Sequence, residues 1–184
     1  MHTREHLRYQ AAKLAIGKLD AFEIKQTVDS LVTEGICPDG FLEVLESNPP
    51  RLDEVREPFA RMLRQLGAEI LDQEAAVWAI IDHHTARIAS HQAGAFEGLA
   101  QLISDVYWDV DFHSAAKGYL GDSHGIEHLI GLYWAYSDML ECPTEAWLND
   151  KTADEALTEL QSAIQAEAKR WQERYSQRCR PHPG

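Results

Sequence analysis

The sequence predicts an all-α fold, a compact single domain of about seven to nine helices over residues 1–184, and three observations lead to it. Apolar residues recur three and four positions apart through most of the chain, which is the helical period. No stretch alternates every second residue with the β-branched enrichment of strands. The chain has 184 residues, 45% of them hydrophobic and 26% charged, so it is long enough to bury a core without disulfides or metals.

The first third of the chain predicts short helices separated by turn residues. A first helix is expected at 6–16, and a second follows Asp20, which forms a capping box with Glu23. Asp39 is expected to cap a third helix. That helix must end before the Asn-Pro-Pro sequence, because a residue that precedes proline disfavours the α conformation. Residues 47–51 are therefore predicted to be a loop or hinge.

The rest of the chain predicts longer helices. Proline removes a backbone donor, so the apolar stripe of 51–66 is interpreted as one turn followed by a helix that begins near Pro58. Further helices are expected at 72–90, at 95–110, near 123–140, and after a capping box of Thr152 and Glu155. The residues from about 177 onward are expected to fray.

The helix near 123–140 is predicted to be central and buried. One of its faces carries Ile126, Leu129, Ile130, Tyr133, Ser137 and Leu140. The other side is also mostly apolar beyond His124 and His128, and a helix that is apolar on both sides is usually buried on both. Asp122 or Ser123 is expected to cap its start.

The charge balance restricts the possible partners. The chain has 17 Lys and Arg against 30 Asp and Glu, a net charge of −13, which repels nucleic-acid phosphates and attracts a basic protein. No apolar stretch is long enough to span a bilayer, and the first ten residues lack the pattern of a signal peptide. The widely spaced Cys37, Cys142 and Cys179 indicate free thiols in a reducing compartment. We therefore expect a cytoplasmic protein that binds neither nucleic acid nor membrane.

One compact motif is suited to metal chemistry. Residues 124–128 are His-Gly-Ile-Glu-His, which fits the pattern H-x-x-E-H. Two histidines four positions apart on a helix face the same way, and a neighbouring glutamate is placed to act as a general base. The motif resembles that of the inverted zinc proteases, and the resemblance implies His124 and His128 as zinc ligands and Glu127 as the base. The same five-residue pattern also occurs at 2–6.

Other side chains could complete a metal site with this motif. His83 and His84 lie on the helix predicted at 72–90, and Asp109 lies on the next one. Adjacent helices could therefore bring together three ligands for zinc or another divalent transition metal. The alternative is that His84 and His91, which share a face with apolar residues, are core or core-edge imidazoles with ordinary hydrogen bonds.

Acidic and aromatic residues near each other suggest a protein-binding surface. The acidic candidates are Asp105, Asp109, Asp111 and Asp138, which form either a solvated helix face or a cation site. Dense aromatics accompany them, namely Tyr107, Trp108, Tyr133, Trp134 and Tyr136. Aromatic side chains that stay exposed beside aspartates, with Trp108 the first candidate, would suit a protein interface.

Two functional hypotheses follow. The leading one is a cytoplasmic, acidic, non-enzymatic interaction protein without a cofactor, comparable to immunity or adaptor proteins, that binds a basic protein partner. The alternative is a helical-bundle metalloprotein or metal-dependent hydrolase. It would use His124, Glu127 and His128 with His83, His84 or Asp109 as a further ligand.

Overall fold

A computed structural model describes residues 4–108, 111–112, 120–143 and 152–176, and these residues form eight α-helices and no β-strand. The prediction of an all-α fold with about seven to nine helices is confirmed. In chain order the helices are α1 (Arg4–Ala15), α2 (Ala21–Thr33), α3 (Phe41–Glu46), α4 (Leu52–Gln65), α5 (Gln73–Ala89), α6 (Ala95–Leu102), α7 (Glu127–Glu141) and α8 (Ala153–Tyr175). None of the described helices is long and apolar enough to cross a membrane.

The chain divides into two compact units, Met1–Ile80 and Ile81–Gly184, with the boundary inside α5. In the first unit, α2, α3 and α4 pack on one another and α1 packs on α4. Their apolar stripes form one buried cluster, in which Ile24, Val28 and Phe59 are fully buried. Within α1, α2 and α4 the buried residues recur three and four positions apart, which is the helical period.

Two local predictions in the first unit have different outcomes. The capping box of α2 is confirmed, because Asp20 Oδ1 accepts a hydrogen bond from the Glu23 amide at 2.8 Å and Glu23 Oε2 accepts one from the Asp20 amide at 3.2 Å. Asp39 does not cap α3. The cap residue is Gly40, in the left-handed region with φ 92°, and the Asp39 carboxylate accepts a hydrogen bond from Gln65 Nε2 at 3.1 Å.

Helix α4 runs without interruption through Pro58, so the prediction of a helix beginning near this proline is wrong. The proline ring costs a backbone hydrogen bond. The buried residues Val55, Phe59, Met62 and Leu63 lie on either side of it along one stripe, and their packing keeps both halves of the helix in line. Residues 47–51 connect α3 to α4 within the first unit, where Lys25 Nζ donates to the Ser47 carbonyl at 2.8 Å.

The second unit contains the end of α5 together with α6, α7 and α8. Helices α6 and α7 each pack on α8 and on one another. The helix predicted at 95–110 is α-helical only in its first part, because α6 continues into a π-helical turn at Ile103–Tyr107. Gly98 brings α6 close to α5, since a Cβ atom there would lie 2.7 Å from Ile88 Cγ1. The capping box predicted for α8 is confirmed, with Thr152 and Glu155 exchanging hydrogen bonds.

Helix α7 begins later than the sequence predicts, at Glu127 instead of near 123. Residues 120–125 form turns, and Ile126 rather than Asp122 or Ser123 occupies the cap position. Only one face of the helix is buried, through Leu129, Ile130, Tyr136 and Met139. The opposite face is exposed, so the prediction of burial on both sides holds for one side alone.

Candidate functional site

The turn before α7 places His124 in the core of the second unit, with only 4% of its surface exposed. The Ser123 hydroxyl donates to the Phe112 carbonyl at 3.0 Å and lies 2.8 Å from His124 Nδ1. Since that hydroxyl has a single hydrogen, the imidazole Nδ1–H is the donor to Ser123 Oγ. The Phe112 ring meets the imidazole edge to face, with ring centroids 5.1 Å apart.

Helix α8 holds the same turn from the other side. The Trp171 indole donates from Nε1 to the His124 carbonyl at 2.9 Å. Gly125 has a φ of 68°, and a Cβ atom there would lie 2.5 Å from the Tyr175 ring. This close approach requires glycine. His124 is thus built into the packing of the turn against α8.

His128 and Glu127 lie on α7, and His128 is exposed. Because His124 precedes the helix, the two histidines do not share a helical face one turn apart, which was the geometry expected from the H-x-x-E-H pattern. Glu127 lies at the first position of α7, on the wall of a groove described below.

His84 and Asp105 form a buried pair. His84 is 1% exposed, and its Nε2 lies 2.7 Å from Asp105 Oδ2. The π-helical turn carries Asp105 inward toward α5, so this aspartate is not part of an exposed acidic surface. His83 contacts the His84 ring at 5.4 Å between centroids. His91 is exposed, has a φ of 59° and accepts a hydrogen bond from Gln165 Nε2 at 3.0 Å.

The described part of the chain does not bring the predicted metal ligands together. Within residues 4–108, 111–112, 120–143 and 152–176, no group of three or more His, Cys, Asp or Glu side chains is placed to hold a metal ion. His83 and His84 lie on α5, while His124 lies in the turn before α7. Asp109, the remaining candidate ligand, lies outside the described residues.

A cluster of aromatic rings is partly exposed on the described part of the second unit. We call Tyr107, Trp108, Tyr133 and Trp134 the tryptophan surface. Trp108 is 67% exposed and Trp134 is 41% exposed. Their rings meet edge to face with centroids 6.5 Å apart, and each ring also contacts Tyr107. Large aromatic side chains usually bury most of their area, so two adjacent exposed tryptophans mark a surface that is suited to a partner.

Acidic side chains accompany the tryptophan surface along α7. Asp138 follows Trp134 by one helical turn, which places the two on the same face, and both are exposed. Glu141 continues that face and is exposed as well. Asp111 is exposed too, whereas Asp105 points inward to His84. Of the predicted acidic surface, Asp111 and Asp138 are thus exposed, and Asp109 lies outside the described residues.

An open groove of about 420 Å³ lies between α7 and α8. Its walls are Glu127, His128, Gly131 and Leu132 from α7 and Ala163, Glu167 and Arg170 from α8. The Glu167 side chain is nearly buried and accepts a hydrogen bond from Arg170 Nη1. Apart from the adjacent residues and backbone of α7 itself, no atom lies within 4 Å of the position that a Gly131 Cβ atom would take.

No role for Gly131 follows from the sequence, which also did not single out Trp134 among the aromatic residues that could form an interface. Trp134 was one of several aromatics whose exposure the periodicity of α7 did not specify. The spacing of Trp134 and Asp138, four residues apart on one helix, was the available signal. The groove depends on how α8 packs on α7, and a pairing between helices that are distant in sequence leaves no local pattern.

Comparison with known proteins adds no functional information. No protein-family model, no curated protein and no solved structure matches this chain.

Proposed function

We propose that this protein is a non-enzymatic binding protein whose tryptophan surface contacts a basic protein partner. The observation that carries the proposal is the pair of exposed indoles, Trp108 and Trp134, in edge-to-face contact on the outside of the second unit. Tryptophan is among the residues most enriched in the energetic centre of protein interfaces. It supplies a large rigid area at a low cost in side-chain entropy.

The charge of the molecule supports a basic partner. The net charge of −13 attracts positive proteins and disfavours nucleic acid. Indole faces attract the cationic groups of Arg and Lys, and Asp138 and Glu141 on the same helix face supply carboxylates to pair with them. Exposed aromatic side chains bordered by carboxylates are complementary to a basic protein surface. The free thiols favour a reducing compartment, so we propose that the interaction takes place in the cytoplasm.

The surroundings of the histidines support a binding role over a catalytic one. His124 is engaged in holding a turn, through Ser123 on its ring and Trp171 on its carbonyl. His84 is hydrogen-bonded to Asp105 inside the second unit. These contacts are those of structural imidazoles, which supports the interaction hypothesis rather than the metal-dependent hydrolase.

The test is a capture experiment with the wild-type protein and the double variant Trp108→Ala/Trp134→Ala. Bound proteins are identified by quantitative mass spectrometry at 50 mM and 300 mM NaCl. We expect wild type to retain a basic protein that is released at the higher salt, because surface charge attraction is screened. The affinity between the two proteins, measured by calorimetry, should fall about 30-fold or more in the double variant. This is the change expected when interface residues that contribute about 2 kcal/mol to binding are removed.

Phe22→Ala is the matched control, since Phe22 is also an exposed aromatic, at 63%, but lies on α2 in the first unit. It should leave the affinity unchanged. Equal retention by wild type and the double variant, or a captured partner that is acidic and insensitive to salt, would contradict the proposal. Far-UV circular dichroism establishes that both variants keep the helical fold.

A further inference from the structure

Three rings of the tryptophan surface lie in planes that are nearly perpendicular to one another. Tyr107 and Trp108 are inclined at 90° with centroids 4.7 Å apart, and Tyr107 and Trp134 at 71° and 6.3 Å. Trp108 and Trp134 are inclined at 76° and are 6.5 Å apart. Three such planes bound a corner in which each ring supplies one wall, and we call it the aromatic corner. Both tryptophans are exposed and Tyr107 is half-buried, so these walls reach the molecular surface.

The π-helical turn at Ile103–Tyr107 explains how Trp108 comes to the aromatic corner. Asp105 and Trp108 are three residues apart, a spacing that places two side chains on one face of an α-helix. Here Asp105 turns inward to His84, whereas Trp108 is 67% exposed. Single π-helical turns are rare and are frequently found at functional sites. The place of this turn directly before the exposed indole supports a role for the ring in binding.

The shape of a cation decides how many of these ring faces it can contact. Aromatic faces attract cations, and indole attracts them most strongly. A guanidinium group is planar and stacks on one face, whereas a lysine ammonium group is strongly hydrated and donates three hydrogen bonds. A trimethylammonium group is nearly spherical and has no N–H group, so it can contact three perpendicular walls and needs no hydrogen-bond acceptor among them. The aromatic corner therefore fits a quaternary ammonium group best.

The charge around the aromatic corner selects between two sources of that group. A quaternary ammonium group occurs on trimethylated lysine and on the choline headgroup of phosphatidylcholine. The choline headgroup also carries a phosphate, which is repelled by exposed carboxylates such as Asp138 and Glu141 and by the net charge of −13. A lysine in a basic protein has cationic neighbours that these carboxylates attract. The charge therefore favours trimethylated lysine.

We propose that the aromatic corner formed by Tyr107, Trp108 and Trp134 binds a trimethylated lysine side chain of the basic partner. This inference rests on the proposed function and names the group that the tryptophan surface recognises. A cation is attracted when it lies within about 6 Å of a ring centroid. The centroids of the three rings are 4.7, 6.3 and 6.5 Å apart, so one cation in the corner lies within reach of all three.

The test compares three blocked peptides that differ in one side chain. Each has the sequence Arg-Gly-Ser-X-Ser-Gly-Arg, where X is lysine, trimethyllysine or the neutral isostere of trimethyllysine, in which a tert-butyl group replaces the trimethylammonium group. Calorimetry with the full chain at 50 mM NaCl measures the affinities. We expect the trimethyllysine peptide to bind about tenfold more tightly than the lysine peptide. The neutral isostere should bind no more tightly than lysine, because the ring faces attract positive charge.

Single substitutions remove one wall of the aromatic corner at a time. Trp108→Leu and Trp134→Leu keep an apolar side chain that is compatible with a helix, and each should reduce the preference for trimethyllysine over lysine to less than about threefold. Phe22→Leu is the matched control, because it replaces an exposed ring of the first unit, and it should keep the full preference. The preference is a ratio measured within one variant, so a change in stability alone does not alter it.

NMR of the wild-type complex locates the bound group without any variant. Protons above an aromatic face are shielded, so the N-methyl signal of the trimethyllysine peptide should move upfield on binding. The indole N–H signals of Trp108 and Trp134 should shift, whereas the signal of Trp171 should not, because its indole is buried and donates to the His124 carbonyl. Phosphatidylcholine vesicles test the other source of the group, and flotation with them should recover none of the protein.

The outcomes separate this inference from the proposed function. If the trimethyllysine peptide binds no more tightly than the lysine peptide or the neutral isostere, the inference is wrong, and a captured basic partner that requires both tryptophans still supports the proposed function. If Trp108→Leu and Trp134→Leu keep the full preference, the group binds elsewhere and the inference is wrong. Vesicle binding that requires the tryptophans would assign the aromatic corner to a lipid headgroup and contradict the inference. If capture yields no salt-dependent basic partner, the proposed function is wrong, whatever the peptides show.

Discussion

The hydrogen bond between His84 and Asp105 explains two residues that the sequence assigned to different roles. His84 was a candidate metal ligand or core imidazole, and Asp105 was a candidate surface acid. In the structure His84 Nε2 lies 2.7 Å from Asp105 Oδ2, and His84 is buried. A buried polar group without its partner is costly, so neither residue can change alone without loss.

We expect Asp105→Ala to lower the free energy of unfolding by about 1–3 kcal/mol, the cost of leaving a buried polar group without this hydrogen bond. Urea denaturation followed by circular dichroism measures the change. Asp138→Ala is the control, because Asp138 is an exposed aspartate, and exposed substitutions usually change stability by less than about 0.5 kcal/mol. If the two variants unfolded at the same urea concentration, the pair would not contribute to stability.

The exposure of Trp108 and Trp134 illustrates why the candidate surface was only partly predictable. The residue type identified both as aromatics that are typical of cores or interfaces. Which of these applied depended on their neighbours. Trp134 lies on the same helix as the buried Tyr136, so composition could not distinguish the two, and Trp108 follows the π-helical turn that the helical period did not predict.

At the scale of elements, the turn that starts α7 depends on two glycines, one with a close neighbour in α7 and one with a close neighbour in α8. Gly121 has a φ of 85°, and its Cβ position lies 2.8 Å from the Glu127 backbone. The Ile126 amide donates to the Gly121 carbonyl at 2.9 Å. Gly125 lies against Tyr175 of α8. The turn therefore depends on two glycines, each of which combines a left-handed backbone with a close neighbour.

Gly125→Ala should destabilise the protein by roughly 2 kcal/mol or more, because it adds left-handed strain and places a methyl group against the Tyr175 ring. Gly131 lies six residues later on α7, where no neighbouring residue crowds it. Gly131→Ala should therefore raise the free energy of unfolding by about 0.5–1 kcal/mol. Thermal and urea unfolding of the two variants measure both effects. Opposite signs are the expected result, and a Gly125→Ala protein as stable as wild type would show that the turn relaxes freely.

Features that depend only on residues close together in the chain could be predicted from the sequence. The capping boxes at Asp20 and Thr152 each involve residues three positions apart, so the sequence specified them completely. The start of α7 was not predictable in this way, because Asp122 and Ser123 have the chemistry of caps while contacts from Phe112 and Trp171 decide the outcome. Pro58 is the converse case, in which apolar packing along α4 overrides a local signal for a break.

At the scale of the whole molecule, the net charge of −13 acts before any specific contact forms. Such a field raises the local concentration of a positive partner and increases the rate of encounter, whereas the aromatic anchors act after the two surfaces have met. The two contributions therefore appear in different rate constants. Salt should change mainly the association rate, and truncation of the tryptophans should change mainly the dissociation rate.

A blocked hexaarginine peptide serves as a model of the basic partner. We expect its association rate constant, measured by stopped-flow fluorescence, to fall about tenfold or more between 20 mM and 200 mM NaCl, because the Debye length falls to less than 10 Å over this range. The fluorescence donor is a dye on the peptide, so the same signal reports on every variant. Trp108→Ala/Trp134→Ala keeps the full charge and should show the same salt dependence of association with faster dissociation. Asp138→Asn/Glu141→Gln keeps both indoles and should weaken the salt dependence. An association rate that did not respond to salt, or a double tryptophan variant that lost the salt dependence, would mean that charge does not guide the basic partner to this surface.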